Sequence, residues 1–305
     1  EIMPSLVGSE MCIRDSMWID ESDAETATYG VYLYMRDALK SVHDVYLCWG
    51  EFRNGLWGAG TNKTLSGVDQ TQVRTSSMSS SNAYADWSVM YKTVNQANLI
   101  LKHVPEMGIS ESVRNFSLGN AYFSRAWCYF WIARIWGDAP LALTGYESTG
   151  GDLYLPRAPK AEIFTRIESD LTEAERYVTD NSDKAVATPA AVQMLKADYA
   201  LWMYRVAGGG TSYLAMAEKA IEALNLSASR LESDYAQVFS SANKLNKEVI
   251  FAVHQANGEA VNGPGYYLGW NSNYVEAAYQ NNPVPITGSN QWWWYTCLLY
   301  TSPSP

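Results

Sequence analysis

Apolar residues recur at intervals of three and four along most of the chain, the spacing of helices that bury one face. Over 21–40 the stripe is Ala27, Val31, Tyr34, Met35, Ala38 and Leu39, and Ser22 followed by Glu25 reads as a capping box. Residues 82–104 carry a second stripe of Trp87, Met90, Tyr91, Val94, Ala97, Asn98 and Leu101, with Asn82 at its N-cap. Asn95 and Asn98 lie on or beside that stripe and therefore require buried hydrogen-bond partners. Pro105 and Gly108 make a turn, and Ser110 caps the next helix. The stretch 120–140 departs from the one-faced pattern. It holds Tyr122, Phe123, Trp127, Tyr129, Phe130, Trp131 and Trp136, and 126–133 is apolar without interruption. A helix apolar on every side belongs in an interior. Aromatics also favour strands, but the length of the segment decides for helix. Gly137 and Pro140 end it. Arg125 and Arg134 fall on opposite sides of this helix, so its surroundings must supply polar partners in two directions. The apolar run is far short of the roughly 20 residues of a membrane span.

Further on, 161–178 is amphipathic: Ile163, Phe164, Ile167, Leu171, Ala174 and Tyr177 form one face. Glu162, Arg166, Glu168, Asp170, Glu173, Glu175 and Arg176 read as its solvated face. Thr188 and Pro189 open another helix, with Ala191, Met194, Leu195, Ala197, Asp198, Leu201, Trp202 and Tyr204 as its interior and glycines 208–210 as its end. A shorter helix covers 213–224, and 231–239 is a half-formed helical turn. The period then changes, and EVIFAVH at 248–254 predicts a short strand. Besides the irregular segment from Pro140 to Pro159, three further regions of 17–295 lack a period. Gly50, Gly55, Gly58 and Gly60 make 45–60 a loop, 65–81 is a polar extended excursion, and 256–288 is rich in Gly, Asn and Pro. The first and last of these nevertheless carry large aromatics: Trp49, Phe52 and Trp57, then Tyr266, Tyr267, Trp270, Tyr274 and Tyr279. Aromatics on irregular backbone either tuck onto the helices or present a face to a ligand.

Composition narrows the partners. A net charge of −10 argues against nucleic acid and anionic membrane, both of which need basic patches. Aromatics make up 13% of the chain, enough to build either a core of large residues or a surface of stacking platforms. Cys12, Cys48, Cys128 and Cys297 are widely spaced and His43, His103 and His254 do not cluster, so no metal or other cofactor is implied. The two ends do not match the rest. Residues 1–16 and 296–305 have no period and resemble translated sequencing adapter, which leaves 17–295 as one domain, open at both ends. Residues 1–16 do not form a secretory signal, and Met11 is too bulky to precede a lipidated Cys12.

Helices of similar length joined by short turns suggest stacked pairs of the tetratricopeptide kind, although no strict 34-residue repeat is visible. Beyond this, WSVMYKTVNQANLIL (87–101), LGNAYFSRAWCYFWIARIWGDAPL (118–141) and LPRAPKAEIFTRIESDLTEAERYV (155–178) follow one another in the order of the SusD/RagB family. TPAAVQMLKADYALWMYR (188–205), YLAMAEKAIEAL (213–224) and NKEVIFAV (246–253) continue that order, and the chain resembles the family from about 29 to 253. The resemblance implies a mainly α fold: tetratricopeptide-like helix pairs, a loop-rich ligand-binding part and a little β structure. It implies a surface-exposed outer-membrane lipoprotein of Bacteroidetes that is not an enzyme. Such proteins bind oligosaccharide or another nutrient and deliver it to a SusC-like TonB-dependent transporter. Any membrane association would run through a lipid anchor that this chain lacks. The family's ligand residues vary among members, so none is carried over by position.

A sugar ring offers an apolar C–H face and a hydroxyl rim, and Trp or Tyr supplies a flat partner at low entropy cost. The candidate stacking residues are Trp49, Trp57, Tyr266, Tyr267, Trp270 and Tyr274, with Asn54, Asn271 and Asn273 as partners for the rim. An all-α glycoside hydrolase would instead need two carboxylates roughly 5–10 Å apart. Its candidates are the loop residues Glu51, Asp69, Glu147, Asp152, Glu259 and Glu276, and no GxSxG, HExxH or P-loop motif accompanies them. A tetratricopeptide scaffold that grips a protein segment is the remaining alternative.

Overall fold

The computed structural model describes residues 17–40, 45–50, 68–148, 153–227 and 230–254. Residues 1–16 and 296–305, most of 45–60 and all of 256–288 lie outside these. The described residues divide into two compact units, one of 17–35 with 90–254 and one drawn from 36–89.

The first long helix, α1 (Glu21–Lys40), buries Ala24, Ala27, Val31 and Met35. Its capping box is Asp20 with Asp23, not Ser22 with Glu25. Asp23 N–H donates to Asp20 Oδ1 at 3.1 Å, and Asp20 N–H donates to Asp23 Oδ2 at 3.3 Å. The helix begins at Glu21, so the preceding residue is the cap. Two short helices follow, α2 (Val45–Trp49) and α3 (Val68–Arg74), where the glycine and polar content predicted irregular chain. Asn82 caps a single 3-10 turn, Ala83–Ala85, and the next long helix, α4, runs from Ser88 to His103. The central helix α5 spans Glu111–Trp136. Ser110 occupies its N-cap position but makes no side-chain cap bond, its hydroxyl pairing with that of Ser112 at 3.1 Å. Phe123, Tyr129 and Phe130 are buried as the pattern requires, whereas Tyr122, Trp127, Trp131 and Trp136 are half-buried. Gly137, at φ +74°, turns the chain out of the helix.

Ala139–Pro140 (β1) and Arg157–Ala158 (β2) pair antiparallel, Ala139 opposite Ala158, and form the one small sheet among the described residues. Then come α6 (Lys160–Tyr177), α7 (Pro189–Arg205), α8 (Thr211–Ala223) and the single turn α9 (Tyr235–Val238). Thr188 caps α7, its Oγ1 accepting Ala191 N–H at 3.1 Å. Helix α5 packs on α6 and α7 on α8, giving the stacked helix pairs of a mainly α fold. Met194, Leu201 and Tyr204, read as interior, are exposed, because the apolar positions of α7 run round the helix and only one side meets the core. The predicted strand at 248–254 does not form. Val249 N–H turns back to Asn246 O at 3.2 Å, Ala252 N–H donates to Lys184 O at 2.9 Å, and Phe251 packs edge-on to Phe123 at 5.4 Å instead of joining a sheet. Among the described residues no helix is long and apolar enough to cross a membrane.

Candidate functional site

A buried polar node in the larger unit is built on Arg125. Arg125 Nε and Nη2 donate to the two carboxylate oxygens of Asp170 at 2.7 and 2.6 Å, a bidentate pair with both residues buried. Burial works against the Arg125 charge, but the hydrogen bonds and charge of Asp170 outweigh it and raise the guanidinium pKa. Arg125 Nη1 also donates to Asn98 Oδ1 at 2.7 Å. Asn98 Nδ2 in turn donates to Ala142 O at 3.0 Å and Thr144 O at 3.3 Å. Asn95 clamps the same strap twice: its Nδ2 reaches Tyr146 O at 3.0 Å, and its Oδ1 accepts Tyr146 N–H at 2.7 Å. The partners required for the two asparagines are thus Arg125 and the backbone of 142–146. Asp170, assigned from its neighbours to a solvated face, is fully buried, because its helix turns that position toward Arg125. Arg134, on the other side of α5, lies over the Phe130 ring at 3.9 Å and pairs with the exposed Asp198 at 3.4 Å.

Of the candidate ligand residues, Trp49 alone is described. Trp57, Tyr266, Tyr267, Trp270, Tyr274, Asn54, Asn271 and Asn273 lie outside the described residues. Trp49 ends α2 and is half-buried against Val45, Cys48, Val73 and Tyr84. Its indole N–H donates to Tyr84 O at 2.9 Å. That hydrogen bond commits the indole N–H of Trp49 to backbone. Sequence reasoning did not single out Tyr84, because its part is played by a main-chain carbonyl that no side-chain pattern reveals.

The loop carboxylates weighed for hydrolysis divide similarly. Glu51, Asp152, Glu259 and Glu276 lie outside the described residues. Asp69 Oδ2 accepts Ala83 N–H at 3.4 Å. Glu147 pairs with His103 Nε2 and, at 3.2 Å, with Lys102 Nζ, while the Trp18 ring stacks on His103 at 4.8 Å. Partial burial acts to raise the Glu147 pKa, but its hydrogen bonds with His103 and Lys102 hold it below the ordinary value. Cys48 and Cys128 are buried and in no disulfide, and desolvation pushes Cys128 up to about 12, which makes it inert.

A SusD-like family profile described as "Starch-binding associating with outer membrane" matches residues 59–202. A SusD-like protein of Formosa agariphila is 26% identical over 212 residues, covering 69% of this chain and 41% of that protein. The solved structure of NanU from B. fragilis superposes with a TM-score of 0.71 at 28% identity, covering 86% of this chain and 53% of that one. Over these spans the chain is similar to the SusD/RagB family. A SusD superfamily structure from Bacteroides vulgatus agrees, with a TM-score of 0.69 at 26% identity over 83% of this chain and 52% of that one. This SusD-like chain spans about half or less of the length of these relatives.

The likeness to SusD-like proteins can be set beside the node. The SusD-like segments around RAW and IESDL, far apart in the chain, meet as Arg125 and Asp170, and the segment around NQAN joins them through Asn98. In WGDAP, Gly137 ends α5, Asp138 Oδ1 accepts the Lys160 N–H of α6 at 2.8 Å, and Ala139–Pro140 form β1. The segments on which the resemblance was read therefore include residues that lock α4, α5 and α6 together.

Proposed function

We propose that this SusD-like chain binds oligosaccharide at the outer membrane and passes it to a SusC-like TonB-dependent transporter, without catalysing a reaction on it. The observation that carries this reading is the match of 59–202 to a family described as starch-binding and outer-membrane-associated. The aromatic loops give it a physical means. Trp49, Trp57, Tyr266, Tyr267, Trp270 and Tyr274 would stack on sugar faces, and Asn54, Asn271 and Asn273 would meet the hydroxyl rim. Stacking with a few hydrogen bonds makes a modest, reversible site, which suits a protein that must release its ligand. The net charge of −10 does not oppose a neutral glycan.

Affinity electrophoresis through gels containing soluble starch, xylan, laminarin or pectin tests the reading. The protein is expected to be retarded by at least one polysaccharide, and Trp57→Ala and Trp270→Ala are each expected to reduce that retardation without changing the far-UV circular dichroism. Unchanged retardation in both variants would sink the site assignment. Migration unaffected by every polysaccharide, together with no signal on a glycan array, would sink glycan binding. Release of reducing sugar from a bound glycan by the purified protein would turn the reading toward a hydrolase. The delivery step predicts co-purification with a TonB-dependent transporter from outer membranes of the native cell.

A further inference from the structure

We infer that Asn82 is a positioning residue that sets the Trp49 ring for its ligand; the inference rests on the glycan-binding reading above. Helix α2, which carries Trp49, has 5 residues, far below the roughly 12–15 at which an isolated helix holds in water. Its geometry must therefore come from what it packs against. That support is the 3-10 turn 83–85: Tyr84 is buried against Val45 and Cys48, and its carbonyl accepts the Trp49 indole N–H at 2.9 Å. Asn82 builds the turn. Its Oδ1 accepts Tyr84 N–H at 2.9 Å, and its Nδ2 donates to Asp69 O at 3.0 Å and to Gln72 Oε1 at 2.9 Å. Gln72 Oε1 also accepts Ser79 N–H and Oγ–H, each at 3.2 Å, so the amide of Asn82 fastens the turn to α3 and to the chain that returns from it.

Asn82 is only 3% exposed, with its amide spent on three bonds inside the fold, so it acts on a ligand only through Trp49. The path is short: Asn82 fixes Tyr84, and the Tyr84 carbonyl fixes the direction of the indole N–H. Fixing that bond leaves the ring little freedom to turn, and a stacking face held in advance spares the ligand the entropy of ordering it. Asn82→Asp isolates the effect. It keeps the shape and the acceptor for Tyr84 N–H, and it replaces the two N–H donors by a carboxylate oxygen facing the Asp69 carbonyl and the Gln72 side chain.

Two measurements on the full 305-residue chain decide the matter. The first is hydrogen exchange of the Trp49 indole N–H by NMR on ¹⁵N-tryptophan-labelled protein, the signal assigned by its loss in Trp49→Phe. It is expected to be protected in the wild type and to exchange about tenfold faster or more in Asn82→Asp, the loss of about 1.4 kcal/mol of protection. Equal rates would overturn the inference. The second is a double-mutant cycle for binding the best-retained polysaccharide of the starch, xylan, laminarin and pectin panel. Asn82→Asp is expected to weaken binding about threefold to tenfold when Trp49 is present and to add nothing in the W49A background. The same loss in both backgrounds would show a general structural effect and overturn the inference. Should Asn82→Asp fail to fold, Asn82→Ser replaces it in both arms. If the wild type binds none of the panel, the glycan reading fails, and the exchange arm still decides whether Asn82 positions Trp49.

Discussion

Replacing Asp170 by Ala tests whether the Arg125 node holds the helix pairs together. In the wild type the Arg125 side chain is 5% exposed and that of Asp170 is fully buried. Removing the carboxylate deletes both bonds of the bidentate pair, at 2.7 and 2.6 Å, and leaves a buried guanidinium with Asn98 as its remaining partner in the node. Breaking a buried pair from one side costs about 3–5 kcal/mol. At about 2–4 °C per kcal/mol for a domain of this order of size, the melting temperature should fall by roughly 6–20 °C. Thermal melts followed by far-UV circular dichroism at pH 7, with urea unfolding as a second measure, would read the change. The double replacement Arg125→Met with Asp170→Leu should recover most of the loss, since it removes both charges and keeps apolar volume. A single variant that melts within about 2 °C of the wild type, or a double variant as unstable as the single, would refute the reasoning.

Other expectations follow from the strap, a cap and a surface carboxylate. At Gly145 an added Cβ would lie 2.8 Å from Leu99 Cδ2 and 2.9 Å from its backbone nitrogen. Gly145→Ala should therefore lift the strap at a cost of about 1–3 kcal/mol and speed amide exchange at Tyr146, which now donates to Asn95. Thr188→Ala should cost about 1 kcal/mol in urea unfolding by removing the α7 cap, and Thr188→Ser should retain it. The hydrogen bond from Lys196 Nζ, at 2.6 Å, holds the Glu175 carboxyl below its ordinary 4.5. A depressed carboxyl pKa contributes stability above about 4.5 that is lost as pH falls through the lowered value. Because the pair is partly exposed, that contribution is on the order of 0.2–1 kcal/mol. Wild type and Glu175→Gln should differ slightly at pH 7 and converge toward pH 3 in melting temperature, and a gap that widens at low pH would contradict the assignment.

Much of the scaffold was legible because helices report themselves through local rules. The period of Ala27, Val31 and Met35 located α1, and Thr188 with Pro189 opened α7 where expected. Local rules failed where the partner was distant. Asp170 sits among Glu168, Glu173 and Glu175, and nothing in that neighbourhood separates the buried carboxylate from the wet ones. The distinction comes from Arg125, 45 positions away. Trp49 was read as a loop residue because Gly50 follows it, yet α2 forms where Tyr84 and Val73 give it an apolar surface. EVIFAVH has the composition of a strand, but its Phe251 is taken into the helical core beside Tyr32 and Phe123. Of the candidate site, the sequence supplied residue types suited to a sugar face, and the described structure adds how one of them, Trp49, is anchored.

By itself the sequence determined the long helices, the family resemblance and the chemistry on offer, because periodicity, capping and motif order are written in neighbouring residues. Tertiary structure alone decided which polar groups became partners: Arg125 with Asp170 and Asn98, the two asparagines with the strap, and Trp49 with the carbonyl of Tyr84. The reason is physical. A buried charge or N–H must find a partner wherever the packed chain brings one, and packing joins positions that no local pattern relates.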